Sequence, residues 1–320
     1  MHYVVGDVHG CFREMMDLLN KINKTDPDAE FIFVGDFVDR GPQVMETVNW
    51  FVENVRFKGK YSGIRGNHDQ MVLEWYKDFE RIYEERRDKL MTKEEEAEDW
   101  LPESYYNFKE LVKEHDLAKP DKLEPIMKFI KRLPCSKTID ITSVWGVKVR
   151  YHIAHAWYIP VNLKDSSNYM RGRNELCMWE RESEYEGNTD NDNIIVHGHT
   201  PTMSENYQIM GNLCNRPGLI GYRKNAINVD SGCCYFGKTK EAIPCMLSAL
   251  CLENLEEIYP YTLEERFMML PDTDEESAKY KAEEYRKKYF DQINFHRNIM
   301  LIKLGNTEVD VNGKTEQSET

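Results

Sequence analysis

Four short polar blocks contain the residue types that could carry chemistry in this chain. They are GDVHG from Gly6, GDFVDRG from Gly35, GNHD from Gly66 and GHT from Gly198. Aspartate, asparagine and histidine offer oxygen and nitrogen atoms that suit divalent metals, and the glycines let the backbone approach a metal or a phosphate closely. One such block is typical of an ordinary turn or loop. Four in one chain predict a metal-binding functional site.

Each block directly follows a short apolar run that predicts a β-strand. The runs that precede the four blocks cover residues 3–5, 31–34, 61–64 and 193–196. Helical spacing of apolar side chains predicts helices over 11–24 and 44–55. Strand, loop and helix therefore occur twice before a third strand, which indicates an α/β layered fold with parallel strands. Sites in such folds lie where the strands end, so the four blocks are placed to meet.

The rest of the chain predicts a hairpin, two more strands and further helices. The hairpin and the two strands cover residues 139–142, 147–153, 226–229 and 244–252. Thr273 with Glu276 predicts a capping box at the start of a C-terminal helix.

These elements predict one catalytic domain and one appendage. The domain covers residues 1–256 and contains a helical insert at about 71–134, and a charged helical extension with a frayed end covers 257–320. The insert includes the acidic stretch 93–99, which we expect to point away from an anionic substrate. We expect the extension to pack on the core and to supply no ligand.

Composition excludes several functional classes. The chain has 320 residues, a net charge of −14 and a hydrophobic fraction of 41%, which is enough for a sizeable core. The acidic balance argues against broad binding to nucleic acid or to an anionic membrane. No apolar run is long enough to span a membrane and no secretory signal is visible, so we expect a cytoplasmic protein. The eight scattered cysteines are expected to be reduced, buried thiols.

The series GDVHG, GDFVDRG, GNHD and GHT resembles the motif series of the calcineurin-like metallophosphoesterases. The form of GDFVDRG is similar to that of the phosphoprotein phosphatase (PPP) family. His155-Ala156 and the WERE stretch from Trp179 look like the lambda-type branch of bacterial and bacteriophage serine/threonine phosphatases. The resemblance covers roughly residues 1–255. It implies a β-sandwich flanked by helices, with a two-metal centre at the strand ends.

The resemblance also implies which residues hold the two metals. The six implied ligands are Asp7, His9, Asp36, Asn67, His155 and His199. The first three would bind one ion and the last three would bind the other, with Asp36 bridging both. The ions are expected to be Mn²⁺, with iron or zinc as alternatives. A water shared by the two ions would attack the phosphorus atom in line, without a covalent phosphoenzyme.

His68 and Asp39 have catalytic roles in the same family pattern. His68 would protonate the leaving alkoxide, and Asp39 would hold its ring in position. No cysteine takes part.

Two arginines are implied as phosphate ligands. Arg40 and Arg181 would clamp the phosphate oxygens, because a guanidinium group matches them bidentately. Arg171 and Arg173 are alternatives to Arg181, which the neighbouring tryptophan favours. Asp69 departs from the family pattern, which has glutamate at the end of the GNHE block; its local hydrogen bonds are therefore expected to differ.

Two histidine ligands have rivals nearby. His152 competes with His155, which is favoured because it lies last in its predicted strand. His197 competes with His199, which the family pattern favours because it follows the glycine.

The leading functional hypothesis is hydrolysis of phosphoserine or phosphothreonine. Alternatives are a symmetrical bis(5'-nucleosyl)-tetraphosphatase and a nucleotide or RNA-end phosphatase, which would use the same centre on another leaving group. An inactive metal-binding scaffold is disfavoured because every ligand position is filled. The expected partners are phosphorylated proteins or small phosphoesters, with no stable binding to nucleic acid and no membrane contact.

Overall fold

The computed structural model describes most of the chain. The described residues are 1–91, 101–103, 108–158, 172–180, 193–204, 216–223, 225–239, 243–289 and 295–309. Arg181, its alternative Arg171 and the acidic stretch 93–99 lie outside these ranges.

Within these ranges, ten strands form two sheets of five. The strands are β1 (His2–Val5), β2 (Glu30–Phe33), β3 (Tyr61–Gly63), β4 (Ser136–Thr142), β5 (Lys148–Ala154), β6 (Asn193–His197), β7 (Gly221–Tyr222), β8 (Ala226–Asn228), β9 (Ala249–Cys251) and β10 (Glu257–Ile258). The first sheet has the order β10-β9-β1-β2-β3 and the second the order β4-β5-β6-β8-β7.

Parallel pairing brings the functional loops to one edge of the molecule. Strands β1, β2 and β3 pair in parallel, as do β5, β6 and β8. The inner faces of the two sheets share one apolar core, in which Val4 and Ile32 of the first sheet cluster with Ile194 and Val196 of the second. This packing confirms the predicted sandwich, and it places the carboxyl ends of the parallel strands together.

Helices cover the outer faces. In the described residues they are α1 (Phe12–Thr25), α2 (Val44–Asn54), α3 (Asn67–Met91), α4 (Phe108–Glu114), α5 (Pro120–Arg132), α6 (Arg173–Trp179), α7 (Leu263–Met268), α8 (Glu275–Tyr289) and α9 (Phe295–Lys303). Helix α1 buries Met15, Leu18 and Ile22 in a core shared with the first sheet. The predicted helices at 11–24 and 44–55 are confirmed within one residue at each end.

The predicted insert is largely helical in its described parts, and its first helix begins before residue 71. Helix α3 starts at Asn67, within the GNHD block itself. Trp75 stacks on Phe79 at 5.4 Å between ring centroids and meets the edge of Phe108 at 5.2 Å, which fixes α3 against α4. A predicted metal ligand therefore lies in the first turn of the longest described helix.

The predicted strand at 244–252 is wrong over its first half. Only Ala249–Cys251 forms strand β9. The backbone before it bonds elsewhere: Leu247 N donates to Glu14 Oε1 at 2.5 Å, and Ser248 O accepts from Gly6 N at 3.0 Å. An apolar run can therefore be fully buried without extending a ladder. The predicted hairpin is confirmed as β4 and β5.

The predicted capping box of Thr273 and Glu276 is wrong. Asp274 Oδ1 accepts from Ser277 N at 2.8 Å at the start of α8, while the Thr273 hydroxyl donates to a backbone carbonyl. A capping box lies instead at 262–265, at the start of α7. Both places match the S/T-x-x-E pattern, so the pattern alone could not choose between them.

The predicted extension makes extensive contacts with the rest of the chain. Phe267 and Tyr285 cluster with Leu219 and Met246, and Tyr285 Oη donates to Pro217 O at 2.8 Å. Strand β10 joins the edge of the first sheet through β9. No described helix is both long and apolar enough to cross a membrane.

A half-buried set of charges also connects the extension with the rest of the chain. We call Arg216, Glu257, Tyr259 and Arg297 the Glu257 cluster. Arg216 Nη2 lies 2.7 Å from Glu257 Oε1, Arg297 Nε lies 3.6 Å from the same oxygen, and Tyr259 Oη donates to Glu257 Oε2 at 2.8 Å. Burial would raise the pKa of Glu257, but the two guanidinium groups hold it below its ordinary value.

Candidate active site

The six predicted metal ligands follow the carboxyl ends of five parallel strands. Asp7 and His9 follow β1, Asp36 follows β2, Asn67 follows β3, His155 follows β5 and His199 follows β6. Five of these residues are buried and His199 is half-buried. With His68, they form one group of side chains, which we call the Asp36 cluster.

Asp36 lies at the centre of this cluster. Its Oδ2 atom is 3.3 Å from His155 Nε2, 3.5 Å from His9 Nε2 and 4.0 Å from His68 Nε2. Two sets of ligand atoms, each within 4.8 Å, share it: one adds Asp7 and His155, and the other adds His9 and His68. A carboxylate shared by two such sets can bridge two ions, which is the role that the family pattern implies.

Asn67 and His199 complete the side of the cluster that faces Asp7. Asn67 Oδ1 accepts from His155 Nε2 at 2.8 Å and from His199 Nδ1 at 3.0 Å, and His199 N donates to Asp7 Oδ2 at 3.0 Å. Asp7 Oδ1 is buried and has no hydrogen-bond partner among the described residues. A buried carboxylate oxygen without a donor is costly, and a cation would satisfy it.

The protonation pattern also points to a cation. Both ring nitrogens of His155 face oxygen acceptors, Val34 O and Asn67 Oδ1. Burial disfavours the charged ring, but Asp36 and Asp7 raise the pKa of His155 to about 10. Burial and the Asp230 carboxylate raise the pKa of Asp7 well above its ordinary value. A divalent ion would replace the His155 proton and stabilise the Asp7 carboxylate, so the residues fit a metal centre.

Backbone carbonyls orient two of the histidines. His9 Nδ1 donates to Val38 O at 2.8 Å, and His155 Nδ1 lies 3.0 Å from Val34 O. In each ring the Nε2 atom therefore faces Asp36, as expected for a metal ligand whose other nitrogen is held by the protein.

The predicted general acid is held on two sides. His68 Nδ1 donates to Asp39 Oδ2 at 2.9 Å, and Arg40 Nη2 contacts His68 Nε2 at 2.9 Å. The His68 backbone N–H donates to Asp36 Oδ1 at 2.9 Å, which fixes the first turn of α3 to the cluster. His68, Asp39 and Arg40 therefore lie together at its rim.

Tyr235 is a site residue that the motifs did not indicate. Its hydroxyl accepts a hydrogen bond from Arg40 Nη1, and its ring lies 5.4 Å from the Arg40 guanidinium carbon. The two residues are 195 positions apart in the chain, and no block surrounds Tyr235. Folding alone brings this ring against Arg40, one of the two arginines of the predicted phosphate clamp. The other, Arg181, lies outside the described residues.

Asp69 joins two motif loops. Its carboxylate accepts from Gly66 N at 2.8 Å, Asp36 N at 2.9 Å and Phe37 N at 3.2 Å. Burial and the Asp36 charge raise the pKa of Asp69 to about 8, and the three donors work in the opposite direction. This shorter acid therefore holds the loop after β2 against the loop after β3.

The site imposes unusual backbone conformations. Positive φ angles occur at His9 (43°), Asp36 (50°), Asp39 (67°), Arg40 (69°) and His199 (70°). Aspartate and histidine tolerate this left-handed region better than most residues, whereas arginine does not. Such conformations cost about 1–3 kcal/mol each and persist where the surrounding structure fixes them. These side chains are therefore held in their orientations at a cost in folding free energy.

Two glycines of the motifs allow the carboxylates to approach the backbone. A Cβ atom at Gly66 would lie 2.1 Å from Asp36 Oδ1, and one at Gly198 would lie 2.0 Å from Asp7 Oδ1. Any larger residue at either position would displace a predicted ligand.

The rival histidines lie outside the cluster. The His152 ring stacks on Tyr158 at 3.9 Å between centroids, and the His197 ring meets the edge of Trp157 at 5.4 Å. Both rings therefore pack against aromatic residues of the segment that follows β5. The seven described cysteines are buried and form no disulfide, as expected, and Cys214 lies outside the described residues.

Comparison with known proteins gives one family and several similar folds. The family model for calcineurin-like phosphoesterases matches residues 3–223. A candidate diadenosine tetraphosphatase of known structure is 19% identical, with 80% of this chain and 91% of that chain covered and a TM-score of 0.42. A protein serine/threonine phosphatase from Saccharomyces cerevisiae, with similarity to human phosphatase PP5, is 16% identical, with 71% and 65% covered and a TM-score of 0.40. A cold-active protein-tyrosine phosphatase of a psychrophilic Shewanella species is 19% identical, with 81% and 77% covered and a TM-score of 0.44.

Proposed function

Because the chain belongs to the calcineurin-like phosphoesterase family, we propose that it hydrolyses phosphoserine and phosphothreonine in proteins at the Asp36 cluster. One observation carries the proposal: Asp36 is shared by two sets of ligand atoms. His68 and Arg40 lie at the rim of the same cluster. A metal centre, a proton donor and an anion-binding group therefore stand within reach of one phosphate.

The proposed cofactor is a pair of divalent ions, Mn²⁺ with iron or zinc as alternatives. Asp7, His9 and Asp36 would hold one ion, and Asn67, His155 and His199 would share Asp36 in holding the other. When bound, the two ions supply Lewis acidity and a nucleophile at neutral pH.

His68 supplies the proton in this proposal. The leaving alkoxide of serine is a strong base and must be protonated as the bond to phosphorus breaks. Asp39 accepts from Nδ1 at 2.9 Å, so it fixes the orientation of the ring and turns Nε2, the atom proposed to donate the proton, away from itself. General acid catalysis of this kind contributes about 10²–10⁴-fold.

Arg40 binds the phosphate in this proposal. Its Nη2 now contacts His68 Nε2 and its Nη1 contacts Tyr235, so the guanidinium group is held over the rim by partners on two sides. A phosphate would receive it bidentately. Arg181 is the proposed second arm of the clamp, and Tyr235 positions the first.

Turnover of three substrates side by side tests the proposal. Mn²⁺-loaded protein should hydrolyse a phosphoserine peptide and para-nitrophenyl phosphate, and should hydrolyse diadenosine tetraphosphate much more slowly. The Asp36→Asn variant is the matched control for contaminating phosphatase. A preference for diadenosine tetraphosphate would replace the proposed substrate by the dinucleoside alternative. No turnover of any substrate would favour the scaffold.

A further inference from the structure

A cavity of about 800 Å³ opens beside Arg40, next to the Asp36 cluster. We call it the Arg40 cavity. Its lining includes Arg13, Arg40, Phe236, Lys238, Tyr261 and Arg266. The first turn of α1, the loop after β2, the segment after β8 and helix α7 each supply part of its wall. Its volume is typical of a small-molecule or side-chain binding site.

The acidic groups of this cavity each have a partner. Glu14 Oε2 lies 3.0 Å from Arg266 Nη1, and Glu14 Oε1 accepts from Leu247 N. Asp17 Oδ2 accepts from Tyr261 Oη at 2.6 Å. The charge of Glu14 is therefore offset by Arg266, whereas Asp17 is hydrogen-bonded to a neutral hydroxyl and counts as one negative charge against the basic groups of the cavity.

Two basic groups of the cavity remain available. The side chains of Arg13 and Lys238 are exposed, and neither has an ion pair or a side-chain hydrogen bond in the described part of the chain. With Arg40 they give this cavity an excess of positive charge, on a protein whose net charge is −14. The cavity therefore favours anions, although the chain as a whole is acidic.

The extension builds the outer wall of the cavity. Arg266 lies 3.9 Å from the centre of the Phe236 ring and 5.7 Å from that of Tyr261. Phe236 directly follows Tyr235, the residue that contacts Arg40. The wall is thus continuous with the proposed phosphate clamp, although Tyr261 and Arg266 belong to a segment expected to supply no ligand.

We propose that the Arg40 cavity receives the leaving-group side of the substrate, and that Arg13 and Lys238 bind a second negative charge there. The inference rests on the proposed function and narrows its substrate class to phosphopeptides with an acidic residue beside the phosphorylated one. The mouth of the cavity is formed by exposed residues, among them Pro42 and Met269. A polypeptide must continue past the site at both ends, which this open rim permits.

A matched pair of peptides tests the inference. The two phosphoserine peptides differ only by aspartate or asparagine next to the phosphoserine. Wild-type protein should have the lower KM for the aspartate peptide. We define the KM ratio as the KM of the asparagine peptide divided by that of the aspartate peptide. Arg13→Gln and Lys238→Gln should each reduce this ratio by about two- to fivefold, as expected when an exposed charge pair is lost. Raising the salt concentration should reduce the wild-type ratio as well.

Lys58→Gln is the control variant, since Lys58 is an exposed lysine on the turn before β3, away from the cavity. It should keep the wild-type ratio. Equal kcat/KM for both peptides in the wild type, or the same ratio in Arg13→Gln and Lys238→Gln, would overturn this inference alone. Failure to hydrolyse either peptide while para-nitrophenyl phosphate is turned over would instead overturn the proposed function.

Discussion

Two clusters of charge differ in whether every carboxylate oxygen has a donor. In the Glu257 cluster, two guanidinium groups and a phenol approach both oxygens of one carboxylate. In the Asp36 cluster, the carboxylates of Asp7 and Asp36 face imidazole rings, and Asp7 Oδ1 has no donor among the described residues. Both clusters are costly to bury, but only the second has a place for a further positive charge. A buried carboxylate oxygen without a donor, rather than buried charge as such, therefore distinguishes the site from the structural cluster.

The largest expected effect is that of Asp36→Asn. The proposed bridging ligand is lost, so kcat/KM for para-nitrophenyl phosphate with Mn²⁺ should fall by more than about 10³-fold. The metal-free variant should melt below the wild-type temperature: burial opposes the Asp36 charge, but the His155 and His68 rings hold the pKa of Asp36 well below its ordinary value, and Asp36→Asn removes that pairing. Near-normal turnover by this variant would show that Asp36 is not an essential bridging ligand.

His68→Asn should affect the two leaving groups differently. Loss of the proton donor should lower kcat for a phosphoserine peptide by about 10²–10⁴-fold. The loss for para-nitrophenyl phosphate should be much smaller, because para-nitrophenolate leaves without a proton. Equal losses on both substrates would mean that His68 holds the cluster together, as its contact with Asp36 allows.

Glu257→Gln should change stability and leave activity intact, unlike Asp36→Asn. Removing the carboxylate leaves two half-buried guanidinium groups without their charged partner, so the free energy of unfolding should fall by about 1–3 kcal/mol. Turnover of para-nitrophenyl phosphate by the folded variant should match the wild type, because the cluster supplies no group to the site. Urea unfolding and steady-state kinetics on one preparation check both parts. Lost activity in a fully folded variant would contradict the comparison.

The pH dependence of stability gives a smaller effect of known sign. The pKa of Glu257 is lowered in the folded protein, so its stabilisation is present above the ordinary glutamate pKa of about 4.3. It is lost as the pH falls from there through the folded-state value. The difference in unfolding free energy between wild type and Glu257→Gln should therefore shrink in acid. A difference that is constant between pH 7 and pH 3 would show that the stabilisation comes from side-chain packing and does not depend on the charge of Glu257.

The smallest expected effect concerns the start of α7. Thr262 Oγ1 accepts from Glu265 N, and Glu265 Oε2 accepts from Thr262 N. Thr262→Ala should cost about 1 kcal/mol of unfolding free energy. Thr273→Ala is the control, because the Thr273 hydroxyl caps no helix, and it should cost less. Equal costs would remove the distinction between the two sites.

The parts of this protein that the sequence predicts are those with a local signature. The Asp36 cluster lies where expected because each motif follows its own strand, and strand ends can be read from short apolar runs. The roles of Tyr235 and Arg266 were not predicted, because each role depends on contacts with residues that are distant in the sequence and are brought near only by folding. The apolar run 244–252 predicted a longer strand than exists, since burial and ladder pairing leave the same pattern in the sequence.

The central claim is that the Asp36 cluster binds two divalent ions on which hydrolysis depends. Metal-free protein should be titrated with Mn²⁺, with bound metal per chain measured by elemental analysis and para-nitrophenyl phosphate turnover measured on the same samples. We expect two ions per chain, activity that follows their binding, and fewer than two ions in Asp36→Asn. Full activity in wild-type protein that holds no metal would contradict it.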